Sequence, residues 1–213
     1  MKSVLITGGT VRLGKAIAAR LRAEGWRVIT SSHRPDAGAD IVADLAEPMG
    51  AAKLYAATLQ MLGGMPPDAL VNNAALFTGD EAVIRAVNLE APKKLTVMMA
   101  GREAGVGAVA NVLDCKVMGD PQRATTPYLK SKHDLLIETV EAAMRFAATL
   151  RVNGVAPGPV MAPTDVHEQA GEMLLDRRPT ADDIAAAVSY LLSAEATTGA
   201  IIPVDAGQNL LRA

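Results

Sequence analysis

An apolar run, Val4-Leu5-Ile6, stops at Thr7-Gly8-Gly9-Thr10-Val11-Arg12-Leu13-Gly14, and residues 15–24 then carry Ile17, Ala18 and Leu21 at helical spacing. Strand, glycine turn and helix in that order constrain this chain most, because they are the context a dinucleotide site requires. Gly8 can take a positive φ, Gly14 lets the helix approach the sheet, and an open helix N-terminus offers backbone donors to a diphosphate. Thr7, Gly8, Arg12, Leu13 and Gly14 are therefore candidate cofactor contacts; a plain tight turn is the alternative. Arg12 stands where the usual pattern has its middle glycine, either as a solvated first-turn arginine or as a cation beside phosphate. The lysine and serine or threonine order of a nucleotide-hydrolysing phosphate loop is missing.

The rest of the chain alternates strands with helices. Strands are expected over residues 26–30, 40–43, 69–71, 106–113, 150–156 and 200–204, and helices over 48–62, 81–101, 128–149 and 180–193, the last with Thr180 and Asp183 as a capping box. Seven strands with intervening helices predict a single α/β domain over residues 1–213, a mostly parallel, doubly wound sheet of the Rossmann type. In such a sheet ligands bind beyond the carboxyl ends of the strands. The second strand ends in Ser31-Ser32-His33-Arg34, without the carboxylate that would hold the ribose diol of NAD, so a 2'-phosphate pocket is expected around His33 and Arg34 and NADPH is favoured over NADH; an exposed turn is the alternative. Asp44 and Leu45 are candidates for the adenine edge, or Asp44 for a helix cap. Asn73 and Ala74 follow the fourth strand, and Pro157, Gly158 and Val160 follow the sixth, where backbone groups can face a carboxamide. Residues 164–175 read as a short amphipathic lid.

Tyr128 and Lys132 lie one helical turn apart, which sets a phenol beside a cation that favours the phenolate. Asn88 is either a solvent-side amide or a bridge to buried polar groups; Asp114 is a loop cap or an acid; Phe77 packs on its own domain or stacks on a flat ring. Half of the chain is apolar but only 3% is aromatic, so the core must be aliphatic. The formal charge of -2 and the lack of a cationic run give no nucleic-acid surface, and no apolar run reaches the ~18 residues of a membrane span. The start of the chain does not fit a secretory signal, so a cytoplasmic location is expected. One cysteine, Cys115, and three scattered histidines leave no metal site and no internal disulfide.

Together these residues resemble the short-chain dehydrogenase/reductase family across essentially the whole chain: the Thr7-Gly8 loop, Asn73-Ala74, Asn88, Tyr128 with Lys132, Asn153 with Pro157-Gly158, and Thr198-Gly199 to Asp205-Ala206-Gly207. The resemblance implies an NADP(H)-dependent oxidoreductase in which Tyr128 exchanges a proton with the substrate, Lys132 binds the nicotinamide ribose, and Asn88 anchors a water chain. Most members hold the carbonyl with a serine just after the fifth strand, whereas this chain reads Val112-Leu113-Asp114-Cys115. An acid there, with Arg12 and with Phe77 four residues after Asn73, looks like the pteridine reductases. That likeness implies that Asp114 and Tyr128 protonate a ring nitrogen, that Arg12 faces phosphate and pterin, and that Phe77 sandwiches the pterin. The substrate would be a reduced pterin or folate-like ring. A carbonyl reductase and a weakly catalytic NADPH-binding regulator are the alternatives. Only fourteen residues separate Asn73 from Asn88, and the stretch from Gly158 to Thr180 is brief, so the substrate loops are trimmed. The family commonly assembles, and a homotetramer or homodimer is expected.

Overall fold

A computed structural model describes residues 1–103, 105–119, 124–160 and 172–212. Met161 to Pro163 and most of the expected lid lie outside them. Seven parallel strands form one sheet: β1 (Ser3–Thr7), β2 (Arg27–Ser32), β3 (Ile41–Val42), β4 (Ala69–Asn72), β5 (Gly107–Val112), β6 (Leu150–Pro157) and β7 (Ile201–Val204). Their order, β3-β2-β1-β4-β5-β6-β7, reverses direction between β1 and β4, so the crevice opens where the doubly wound reading requires. Alternate side chains of each strand enter opposite cores. Val4, Ile6 and Val71 meet Ile17 and Leu21 of α1 (Arg12–Ala23) together with Ile184 and Val188 of α6 (Ala181–Ser193). Leu5, Leu70 and Val109 face the other way, against Leu54 of α2 (Gly50–Met61) and Leu95 and Met99 of α4 (Ala91–Ala100). Pro203 is tolerated because β7 is an edge strand.

Two helices differ from expectation. The one expected over 81–101 is divided into α3 (Glu81–Arg85), a π-helical turn (Ala86–Glu90) and α4. Pro92 has no N–H for the Asn88 carbonyl, and the Ala91 N–H instead reaches back five residues to the Ala86 carbonyl. The residue inserted by this turn brings Asn88 to 0% exposure. The helix expected over 128–149 is α5 (Pro127–Arg145); Thr126 caps its start and Phe146 takes the chain into β6 through bonds from Thr149 and Leu150. Among the described residues no helix is long and apolar enough to cross a membrane.

Candidate active site

The crevice is a cleft of about 610 Å³ along the carboxyl ends of β2, β1, β4, β5 and β6. Every candidate residue lines it except Thr7 and Asn88, which act from behind its wall. The Thr7 hydroxyl accepts the N–H groups of Asn73 and Ala74, both at 3.0 Å, while the Asn73 side-chain amide donates to the carbonyls of Thr7 and Gly8. These bonds lock the glycine turn onto the end of β4. Gly14 is required by close approach, since a Cβ there would lie 2.0 Å from the Gly8 carbonyl oxygen. Arg12 occupies the missing glycine's place in its conformation too, with φ 49°, a strain of the order of ~1 kcal/mol that clusters at functional turns.

This end of the cleft suits a dinucleotide. Helix α1 is preceded by Val11, which offers no side-chain cap, and has no acid in its first turn, so its backbone donors are left to an anion. Ser31, Ser32, His33 and Arg34 line the wall beside it, and the Arg34 N–H is fixed on the Ser32 hydroxyl at 3.1 Å. The Asp40 carboxylate is held by the Thr30 N–H and hydroxyl of β2. Asp44 caps the Ala46 N–H while lining the cleft.

At the other end, α5 presents Tyr128, Ser131 and Lys132. The Tyr128 hydroxyl donates to Asp114 Oδ2 at 3.0 Å, and Asp114 Oδ1 accepts the Lys116 N–H at 2.8 Å, so Asp114 is a loop cap and a phenol partner at once. Lys132 is buried with Nζ donating to the Val112 carbonyl at 2.7 Å. Asn88 is a bridge: its amide accepts from the Leu76 N–H and donates to the Leu76 carbonyl and the Ser131 hydroxyl, which in turn donates to the Tyr128 carbonyl. A second chain, Asn72 to Asn111 to Thr139, ties β4 and β5 to α5 through bonds of 2.8 Å each. The Phe77 ring lies 4.6 Å from that of Tyr128, tilted by 47°, with 41% of its residue surface exposed to the cleft mouth.

The electrostatics correct one expectation. Burial, reinforced by the Asp114 carboxylate, pushes Tyr128 well above its ordinary value near 10, toward the phenol rather than the phenolate. Burial also lowers Lys132 to about 8, with Asp114 opposing, so it is not the permanently charged neighbour inferred from spacing. Lys116 and Gln208 also line the cleft and Ser131 stands behind its wall, and none of the three was a candidate. Ser131 is found only once its bond to Asn88 is seen, and Gln208, which accepts from the Cys115 thiol at 3.4 Å, comes from a turn remote in sequence. Cys115 is buried in the wall.

A family model of the short chain dehydrogenases matches residues 2–174. The chain belongs to that family. Among relatives of this short-chain dehydrogenase, glucose 1-dehydrogenase 2 of Bacillus subtilis (strain 168) is 27% identical, with 98% of this chain and 95% of the relative covered. Pteridine reductase 1 of Leishmania tarentolae is 28% identical over 98% and 96% of the two chains. The crystal structure of FolM alternative dihydrofolate reductase 1 from Brucella canis, complexed with NADP, superposes with a TM-score of 0.84 at 30% identity, covering 98% of this chain and 94% of that one. Relatives of such different substrates show an oxidoreductase fold and family without selecting a substrate.

The buried Lys132 sets a pH signature. Its folded pKa of about 8 lies below the 10.5 of an unperturbed lysine, so between those values the unfolded chain holds a proton that the folded one has released. Stability contributed by this group therefore rises with pH across that window, by up to ~1.4 kcal/mol per unit. Tyr128 acts in the opposite sense, but only above the ordinary tyrosine value near 10. Urea unfolding between about pH 8 and 9.5 should show that rise in the unaltered protein, and Lys132→Met should flatten it.

Proposed function

We propose that this short-chain dehydrogenase reduces the C=N bond of a dihydropterin-like ring with NADPH, using residues 1–213 as one cofactor-binding and catalytic domain in the cytoplasm. The observation that carries the reading is the bond from the Tyr128 hydroxyl to Asp114, at 3.0 Å, where most of the family has a serine. A serine hydroxyl holds a carbonyl oxygen as donor; a carboxylate accepts, and repels the oxyanion that ketone reduction builds up. A ring nitrogen asks for something else, a proton delivered in the same step in which the neighbouring carbon gains a hydride.

NADPH supplies that hydride when bound. Arg34 and His33 would hold its 2'-phosphate, Arg12 and the first turn of α1 its diphosphate, Asp44 and Leu45 its adenine edge, and the backbone around Pro157, Gly158 and Val160 its carboxamide, all of them lining the cleft. Phe77 and Tyr128 offer aromatic faces to the substrate ring. Tyr128, kept neutral by burial and by Asp114, is the immediate donor to nitrogen. Its lost proton is replaced through the half-buried Asp114, and Lys132 stabilises the transient phenolate and would hold the cofactor's ribose. Asn88 and Ser131 fix the first turn of α5, so the phenol is aimed before substrate arrives.

The direct test is NADPH oxidation with a dihydropterin, dihydrofolate and simple ketones. Turnover of the dihydropterins is expected. Asp114→Asn should lower that turnover by ~10²-fold or more while NADPH affinity stays nearly constant. An unaltered rate in the variant, or preferential turnover of ketones, would favour a carbonyl reductase; NADPH binding without any turnover would leave a regulator.

The same reading extends to assembly. Val97 of α4 and Ile137, Val140 and Met144 of α5 are exposed apolar side chains on adjacent helices, and we expect them to be covered in a homodimer or homotetramer. Light scattering at micromolar concentration should report the oligomer; a monomer would reject it.

A further inference from the structure

We infer that Gln208 is a positioning residue of the proton-transfer site: through the Cys115 thiol it fixes the turn that carries Asp114, and so the bond between Asp114 and the Tyr128 hydroxyl. The inference rests on the proton-delivery reading above and adds to it a residue that reaches the cleft from beyond β7.

The turn that bears Asp114 is held from two sides. Leu113 still belongs to the sheet, with its N–H on the Val155 carbonyl at 2.7 Å, and from Asp114 onward the chain leaves it. The 3-10 turn Cys115–Val117 is then closed locally, by the Lys116 N–H on Asp114 Oδ1 at 2.8 Å and the Val117 N–H on the Asp114 carbonyl at 3.2 Å. Those bonds give the turn its shape; its place over the sheet depends on what grips it from outside. From α5 comes the Tyr128 hydroxyl, on Asp114 Oδ2 at 3.0 Å, which is the contact that proton delivery uses. From the opposite side comes Gln208, whose Oε1 accepts from the thiol of Cys115, the residue next to Asp114, at 3.4 Å. Cys115 and Gln208 are 2% and 1% exposed, so the contact is made out of water, where an amide oxygen is costly to leave unpaired.

Gln208 stands on a firmly bonded platform. Its N–H is on the Asp205 carbonyl at 3.1 Å, and the buried Asp205 carboxylate accepts the N–H groups of Gly207 and Asn209 at 3.0 and 2.6 Å. The Ala206 carbonyl accepts those of Leu174 and Leu175 at 2.9 and 3.1 Å. Gly158 presses the end of β6 against the same turn, so closely that a Cβ on it would lie 2.6 Å from the Asp205 Cα. The Gln208 amide has one orientation that suits its partners, because the thiol needs an acceptor and the Glu172 carbonyl, 3.3 Å from Nε2, needs a donor. A methionine would fill an aliphatic wall at a lower desolvation cost; an amide gripped at both ends fixes direction as well as filling space. With that grip removed, the Asp114 turn can swing on its junction with β5, and a displacement of about 1 Å at the phenol is enough to slow a positioned proton transfer.

The test follows the Tyr128 ionisation by carbon-13 NMR in the free protein, with dihydropterin kinetics and NADPH affinity alongside. Asp114 and Cys115 act on the phenol from the acid turn, and Lys132 stands 5.9 Å from its ring. Gln208→Met keeps the length of the side chain and removes both amide contacts. Cys115→Ala and Cys115→Ser both lack an ionisable thiol, and only serine keeps a donor, so the difference between them reports the bond to Gln208 and stands in should Gln208→Met not fold. Gln208→Met should bring the Tyr128 ionisation down part of the way that Asp114→Asn does, and Cys115→Ala should bring it lower than Cys115→Ser. Combined with Asp114→Asn, neither the Gln208 change nor the difference between the Cys115 variants should add a further fall, because the bond they position is already gone. On a dihydropterin, Gln208→Met should lower kcat about fivefold, with KM and NADPH affinity within about twofold. A Tyr128 that Gln208→Met does not move, or moves equally with Asp114 and with asparagine in its place, overturns the inference, as does a raised KM at unchanged kcat, which would make Gln208 a substrate contact. The expected Tyr128 pattern in a protein that reduces no dihydropterin would uphold the positioning and overturn the reductase reading instead.

Discussion

Tyr128 has its ring against Phe77 and its hydroxyl on Asp114, and the site depends on that pair of contacts because together they decide which proton state the phenol occupies. A phenol in water ionises near ~10 and makes a poor acid and a poor base at neutrality. Here burial favours the uncharged form and the carboxylate favours it again, so Tyr128 rests as a donor. The cost falls on Lys132, whose ammonium is buried in the same wall and drops to about 8. Two groups with environments pushing their protonation in useful directions are a signature of proton-transfer sites.

The scaffold serves this arrangement from three directions. Thr7 and Asn73 weld the glycine turn to β4; Asn88 and Ser131 hold the first turn of α5; Asn72, Asn111 and Thr139 hold its middle. All of them except the half-buried Asn73 are buried polar residues in an otherwise aliphatic core. A buried amide without partners would cost more than a satisfied one gains, so each of these bonds also enforces one register between strand and helix.

Much of this was legible in the sequence because it is local. Glycine at 8 and 14, the alternation of strands and helices, the Tyr128–Lys132 spacing and the absent carboxylate after β2 each express a short-range rule, and a seven-stranded, mostly parallel, doubly wound sheet followed from the alternation. What was not legible depends on contacts across the fold. The helix containing Asn88 was expected to run unbroken over 81–101, whereas the π turn that buries the amide is decided by what α5 and the loop after β4 offer it. The direction of the Tyr128 shift was misread because spacing reports a neighbouring cation and not the burial that outweighs it. Gln208 and Lys116 directly follow the Asp205-Ala206-Gly207 and Asp114-Cys115 segments, but only the turns of the fold show that they reach the cleft.

The central claim, that burial and Asp114 hold Tyr128 as a neutral donor, can be read without any substrate. Carbon-13 labelling of the three tyrosines, with Tyr128→Phe to assign the resonance, allows the phenol to be titrated by NMR in the free protein. The account predicts that Tyr128 ionises well above the ordinary value near 10 and that Asp114→Asn brings it down. A Tyr128 that ionises at or below that ordinary value in the unaltered protein would contradict it.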